Sequence, residues 1–163
     1  DRDQAVMERV VYKTAALHLH HIATSGDAFE FGSARPLDFG HWAAHRLELL
    51  SNFSLGHGSA VAVGIALDST YALLKKMIGH EERDAIVRGL AACGLPVWSP
   101  LLERLDAHGE PDVLGGLEQF REHLGGTLSI TLPCPIGAKR DVHRMNLALV
   151  KHAIGLLKEE FAP

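Results

Sequence analysis

The segment Asp38-Phe39-Gly40-His41-Trp42-Ala43-Ala44-His45 carries two imidazoles four residues apart. On a helix that spacing puts both rings on one face, where they can reach one ion or one substrate. Twelve residues beyond His45, Leu55-Gly56-His57-Gly58 offers a third imidazole, flanked by glycines that let other backbone come close. Trp42 stands where the zinc-protease pattern H-E-x-x-H has its glutamate base, so that chemistry is excluded. Spacing alone also describes two ordinary histidines on an amphipathic helix and a third at a helix cap, and at this level both readings stand.

Composition sharpens the question. The 163 residues hold 11 histidines against 16 Lys plus Arg, and five of them fall between His18 and His45. Only two cysteines occur, Cys93 and Cys134, far apart and each alone. A disulfide framework or a cysteine zinc site does not fit that usage, and a reducing, cytoplasmic setting is expected. Many histidines with almost no cysteine point to a catalytic metal, or to a phosphate and proton-transfer site, before a structural zinc. The net charge of −4 argues against a general nucleic-acid or anionic-membrane binder. No apolar run reaches the roughly 18–20 residues of a membrane span. Gly26, Gly32 and Gly40 do not form G-x-G-x-x-G, and no strand precedes them, so this chain carries no dinucleotide fingerprint.

Hydrophobic periodicity then supplies the elements that must position these residues. It predicts a helix over roughly 3–23, a loop over 24–39, and a second helix from Phe39 to about Leu50. His57 through Ile78 is apolar on nearly every face and reads as the buried centre of a bundle, ended by Gly79. Asp68, inside it, needs a polar partner. Glu81 and Glu82 open a helix that ends near Gly94, their charge suiting the positive end of its dipole. A short turn follows at Leu101–Leu105, and a helix at 112–124 is closed by Gly125-Gly126. Thr127–Leu132 alternates with β-branched residues and reads as the one strand. Lys139-Arg140 beside Asp141 reads as a solvated turn. Asn146 caps a last helix from Leu147 to about Phe161. The expected fold is mainly α: one helical domain over 1–163 with one short strand or hairpin.

The string Arg35-Pro36-Leu37-Asp38-Phe39-Gly40-His41 with His45, followed by Gly56-His57-Gly58-x-Ala60-Val61-Ala62-x-Gly64, resembles the C-terminal domain of 3-dehydroquinate synthase and related sugar phosphate cyclases. The family forms are N-x-G-H-x-x-G-H and H-G-E-A-V, and the likeness extends through Phe120–Gly126 and the strand to Pro133. The resemblance implies a helical metal- and substrate-binding domain. Its partners would be an N-terminal nucleotide-binding domain of the same protein that holds NAD, a sugar phosphate, and a second copy in a homodimer. His41 and His57 match the two metal-ligand histidines for zinc or cobalt, with a glutamate ligand expected upstream of Asp1. His45 matches a histidine that contacts substrate and moves protons, the catalytic role here. His20 and His123 fall near substrate-binding lysines, and Arg35 near a substrate-contacting arginine. The chain opens on a helical pattern with neither an initiator Met nor a signal-peptide core, and is read as a fragment that is inactive alone.

Two departures bear on substrate. Asp38 stands where dehydroquinate synthases have Asn, and His123 replaces lysine. Both are similar to cyclases outside the shikimate pathway, such as 2-epi-5-epi-valiolone synthase, which act on sedoheptulose 7-phosphate. Trp42-Ala43-Ala44 and Ser59, where the family usually has Glu, match neither branch. A true 3-dehydroquinate synthase, and a non-catalytic helical module descended from a cyclase, therefore stay open as alternatives.

Overall fold

The structure, a computed structural model, describes residues 3–24, 36–123 and 125–162. It falls into two compact units, residues 1–35 and 36–163. The first contains helix α1 (Gln4–Thr24), whose start is capped by Asp3: its carboxylate accepts from the amides of Ala5 at 2.9 Å and Val6 at 3.1 Å. Val6, Val10, Tyr12, Leu17 and Leu19 are all exposed on this unit.

The second unit is built on one buried helix. Its elements are α2 (His41–Leu50), α3 (His57–Leu74), α4 (His80–Ala92), α5 (Gly115–His123), strands β1 (Ile130–Pro133) and β2 (Lys139–Val142), and α6 (Leu147–Phe161). Short 3₁₀ turns at Pro36–Asp38, Pro100–Glu103 and Asp112–Leu114 connect them. From Ala60 to Ala72 α3 is buried almost all round, because its residues there are mainly Ala, Val and Gly, small enough for neighbours on every side. α2, α4, α6 and β1 all pack on it. Trp42, Leu47, Val63, Leu67, Tyr71 and Leu157 form the centre of one continuous core. Among the described residues, no helix is long and apolar enough to cross a membrane.

The mainly helical expectation holds, with local differences: the strand expected at 127–132 lies at Ile130–Pro133, and the helix expected over 112–124 opens as the 3₁₀ turn Asp112–Leu114 before α5. α3 stops at Leu74, four residues before the expected Ile78. The amide of Lys76 donates to Leu73 and that of Met77 to Ala72, while Lys76 takes a left-handed φ of 57°. This is a Schellman stop with lysine where glycine is usual. The apolar pattern runs on because Met77 and Ile78 still pack on the core after the chain has turned. Gly79 belongs to the next helix, as the N-cap of α4. Lys139-Arg140 is no turn: it forms β2, paired antiparallel to β1 with Ile130 opposite Val142 and Pro133 opposite Lys139. The strand escaped the sequence reading because its residues are charged and lie on the exposed edge, tied by Thr131 Oγ1 donating to Asp141 at 3.0 Å and Lys139 Nζ at 2.7 Å from the same carboxylate.

Polar pins hold the outer helices. The amide of Asn146 donates to the Tyr71 hydroxyl at 3.0 Å, and the Asn146 side chain accepts from Leu149 as the expected cap of α6. Buried Arg83 on α4 donates to Thr70 on α3 and to Glu160 on α6 at 2.6 Å, beneath the Phe161 ring.

Candidate functional site

The three imidazoles singled out in the sequence meet. His41 and His45 lie on one face of α2, and His57 is the first residue of α3. Ring centroids are 5.4 Å apart for His41 and His57, 5.6 Å for His41 and His45, and 6.2 Å for His45 and His57. Nδ1 of His41 lies 3.3 Å from the Phe39 carbonyl, and Nδ1 of His57 lies 3.2 Å from a Glu48 carboxylate oxygen. A carbonyl or carboxylate oxygen can only accept, so each Nδ1 is the donor, and in the neutral ring the lone pair then lies on Nε2.

The position of His41 is fixed by an unusually close approach of two backbones. Gly40 caps α2 with φ 81°, and a Cβ there would stand 2.6 Å from the Ile65 amide nitrogen. A Cβ on Gly64 would stand 2.0 Å from the Gly40 carbonyl oxygen. Only glycine at both places lets the turn before His41 sit against the middle of α3. Asp68 locks that contact. Fully buried one turn further along α3, it accepts from the Gly40 amide at 3.1 Å and from the Trp42 indole at 2.8 Å. The polar partner that Asp68 required is thus the helix bearing the histidines, and Trp42, which fits no family pattern, is its second donor.

Burial pushes the Asp68 carboxyl up from 3.8 to about 7, against the pull of its two N–H donors. A folded-state value above the unfolded one means that the native protein holds the proton more tightly. The stability from this group is then full below about pH 4 and is lost as pH rises through about 7. The difference in unfolding free energy between wild type and Asp68→Asn should fall by about 4 kcal/mol from pH 4 to pH 8. Urea unfolding of both proteins across that range checks it. Carboxylates such as Asp84 and Asp106, held low by Arg83 and by backbone amides respectively, cancel in the difference.

Around His45 the site is shaped by α5. Arg46 pairs with Asp112 and donates to its carbonyl, fixing the turn before α5, and Gly116 lies so close that a Cβ would be 2.5 Å from the Trp42 carbonyl oxygen. This brings the Phe120 ring to 6.3 Å from His45, beside a cleft of about 210 Å³ lined by Trp42, His45, Leu49, Gly116, Gln119 and Phe120. Asp38 is half-buried at the end of the 3₁₀ turn, three residues before His41. His20 is exposed on α1, in the other unit; Arg35 lies outside the described residues; His123 ends α5, and its side chain lies outside them as well. The sequence reading missed Glu48, although the pattern His41, His45, Glu48 at i, i+4 and i+7 marks one helical face.

Among the described residues, no three His, Cys, Asp or Glu side chains form a complete metal cage. The donor set nevertheless fits part of one. Two imidazoles sharing a tetrahedral ion stand with centroids about 5 Å apart, close to the His41–His57 separation, and both rings offer Nε2.

Residues 1–110 match the family described as 3-dehydroquinate synthase C-terminal, a span that contains all three histidines, Glu48 and Asp68. The chain belongs to that family. Among its relatives, a 2-epi-5-epi-valiolone synthase from an Actinomyces species is 31% identical over 126 residues, covering 77% of this chain and 31% of that protein. A 3-dehydroquinate synthase from Dehalococcoides mccartyi strain CBDB1 is 33% identical over 96 residues, 59% of this chain and 26% of that protein. The chain therefore spans about a third or less of the length of these curated relatives. Among solved structures, ValA, the 2-epi-5-epi-valiolone synthase of Streptomyces hygroscopicus subsp. jinggangensis 5008 with NAD+ and Zn2+ bound, shares the fold. Its TM-score is 0.80 at 23% identity, covering 98% of this chain and 42% of that one.

Proposed function

We propose that this chain is the metal- and substrate-binding helical part of an NAD-dependent sugar phosphate cyclase, with a seven-carbon sugar phosphate as substrate and sedoheptulose 7-phosphate preferred. The observation that carries the reading is the meeting of His41, His45 and His57, with Nδ1 of His41 and His57 tied and Nε2 left as donor. Support also comes from family membership and from relatives that are themselves cyclases, one of them a structure holding NAD+ and Zn2+.

His41 and His57 would hold a zinc or cobalt ion together with a glutamate from the rest of the protein, and NAD would sit mainly in an N-terminal nucleotide-binding domain. When bound, the metal supplies a Lewis acid for hydroxyl and ketone oxygens, and NAD takes up and returns a hydride. This chain's own residues do the positioning and the proton work. His45, exposed on the same face of α2, moves a proton to and from the substrate through its imidazole. Asp38 accepts hydrogen bonds from substrate hydroxyls at the end where a dehydroquinate synthase meets a carboxylate. Arg35, His20 and His123 are assigned to substrate contacts on resemblance alone.

A carboxylate at position 38 repels an anionic substrate head and welcomes a neutral polyol. The full-length protein should therefore turn over sedoheptulose 7-phosphate with a higher kcat/KM than the carboxylate-bearing heptulosonate phosphate. Asp38→Asn should narrow that ratio on the order of tenfold, with metal affinity little changed. Steady-state kinetics on both substrates, with both proteins side by side, test it. A wild type that prefers the heptulosonate would return the protein to dehydroquinate synthesis.

A further inference from the structure

The family's usual glutamate two residues after the second ligand histidine is Ser59 here, which leaves open what orients His57. The geometry points to Glu48 as the positioning residue for His57: from α2, nine residues earlier, its carboxylate fixes the imidazole with the proton on Nδ1, so that Nε2 faces the ion. This assignment rests on the reading of His57 as a metal ligand.

Three observations carry it. Nδ1 of His57 lies 3.3 Å and 3.2 Å from the two Glu48 oxygens, so the carboxylate straddles a single donor. The Glu48 side chain is only 17% exposed, whereas the imidazole is 55% exposed. A largely sheltered carboxylate is thus the partner of a ring that is more than half exposed. Finally, Glu48 lies on the face of α2 that bears His41 and His45, whose place is set by the Gly40–Gly64 contact and Asp68. The anchor of His57 is therefore built on the same rigid helix as the other two imidazoles. A carboxylate behind a ligand histidine fixes its tautomer and raises its basicity, and losing one commonly costs about 10–100-fold in metal affinity.

The test uses the full-length protein as wild type, Glu48→Gln, Glu48→Ala and His57→Ala, with zinc alone as the probe. Competition against a chromophoric chelator gives the affinity. Nitrogen-resolved NMR of the imidazoles in the zinc-free protein, at a pH where they are neutral, gives the tautomer. Glu48→Ala should bind zinc about 10–100-fold more weakly. Glu48→Gln, whose amide oxygen still accepts from Nδ1, should stay within a few-fold of wild type. His57 should carry its proton on Nδ1 in wild type and in Glu48→Gln, and shift toward Nε2 in Glu48→Ala, a change that a merely structural role would not produce. Zinc binding by Glu48→Ala equal to wild type would overturn the assignment, as would an Nε2 proton on His57 in wild type. Undiminished zinc binding by His57→Ala would instead remove the ligand reading beneath it, and the assignment with it. Should Glu48→Ala fail to fold by circular dichroism, the wild-type tautomer still decides.

Discussion

Replacing His45 with alanine in the full-length protein is expected to leave the metal bound and to lower turnover by about 10²–10⁴-fold, the usual cost of losing a proton-transfer group. His41→Ala and His57→Ala should instead lose the metal at ordinary concentrations. The contrast follows from the proposed roles, which the family resemblance supplies. His41 and His57 form the closest pair, with Nδ1 of each tied to an oxygen, whereas His45 lies farther from His57 and borders the cleft beside Phe120. Metal content after dialysis, read beside kcat, separates the two roles. A His45→Ala protein that also loses its metal would reverse the assignment within the H-x-x-x-H pair.

Among the described glycines, Gly64→Ala should be the most damaging substitution. Its Cβ would fall 2.0 Å from the Gly40 carbonyl oxygen, and the atom it meets is backbone, which cannot swing aside. The turn before His41 must then lift off α3, stretching both hydrogen bonds to Asp68 and carrying His41 away from His57. We expect a loss of about 3 kcal/mol or more, which lowers Tm by roughly 6–12 °C for a domain of this size. Zinc affinity should fall with it. Gly58→Ala is the control: beside His57 at the start of the same helix, a Cβ there meets nothing within 4 Å. Thermal unfolding and zinc titration of the pair check both parts. A Gly64→Ala protein as stable as wild type would mean that the close contact does not set the site.

Much of this site was legible in the sequence because helical spacing is a local property. His41 and His45 at i and i+4, with His57 between glycines at the head of a largely apolar helix, could be placed without any tertiary knowledge. The need of Asp68 for a partner followed from the cost of a buried carboxyl, but its identity did not. Trp42 and Gly40 lie 26 and 28 residues away, and only the packing of α2 on α3 brings them there. Glu48 was overlooked because an acidic residue late in an amphipathic helix reads as solvated surface, and its partner lies across a turn. That turn is itself informative: Asn52 and Phe53 both take positive φ, and the Phe53 amide closes back onto the Glu48 carbonyl at 2.7 Å, which starts the reversal of the chain toward α3. The early stop of α3 and the charged strand β2 share one cause. In each case hydrophobic pattern reports burial, while hydrogen bonding decides where the element ends.

The central claim is tested most directly by phosphate release. The full-length protein, stripped of metal with a chelator, is supplied with NAD and sedoheptulose 7-phosphate and titrated with zinc. Release should rise with zinc to saturation at one equivalent per chain, one phosphate for each carbocycle formed, with none from His41→Ala or His57→Ala at the same zinc concentrations. Phosphate release independent of zinc, or unchanged in those two variants, would contradict it.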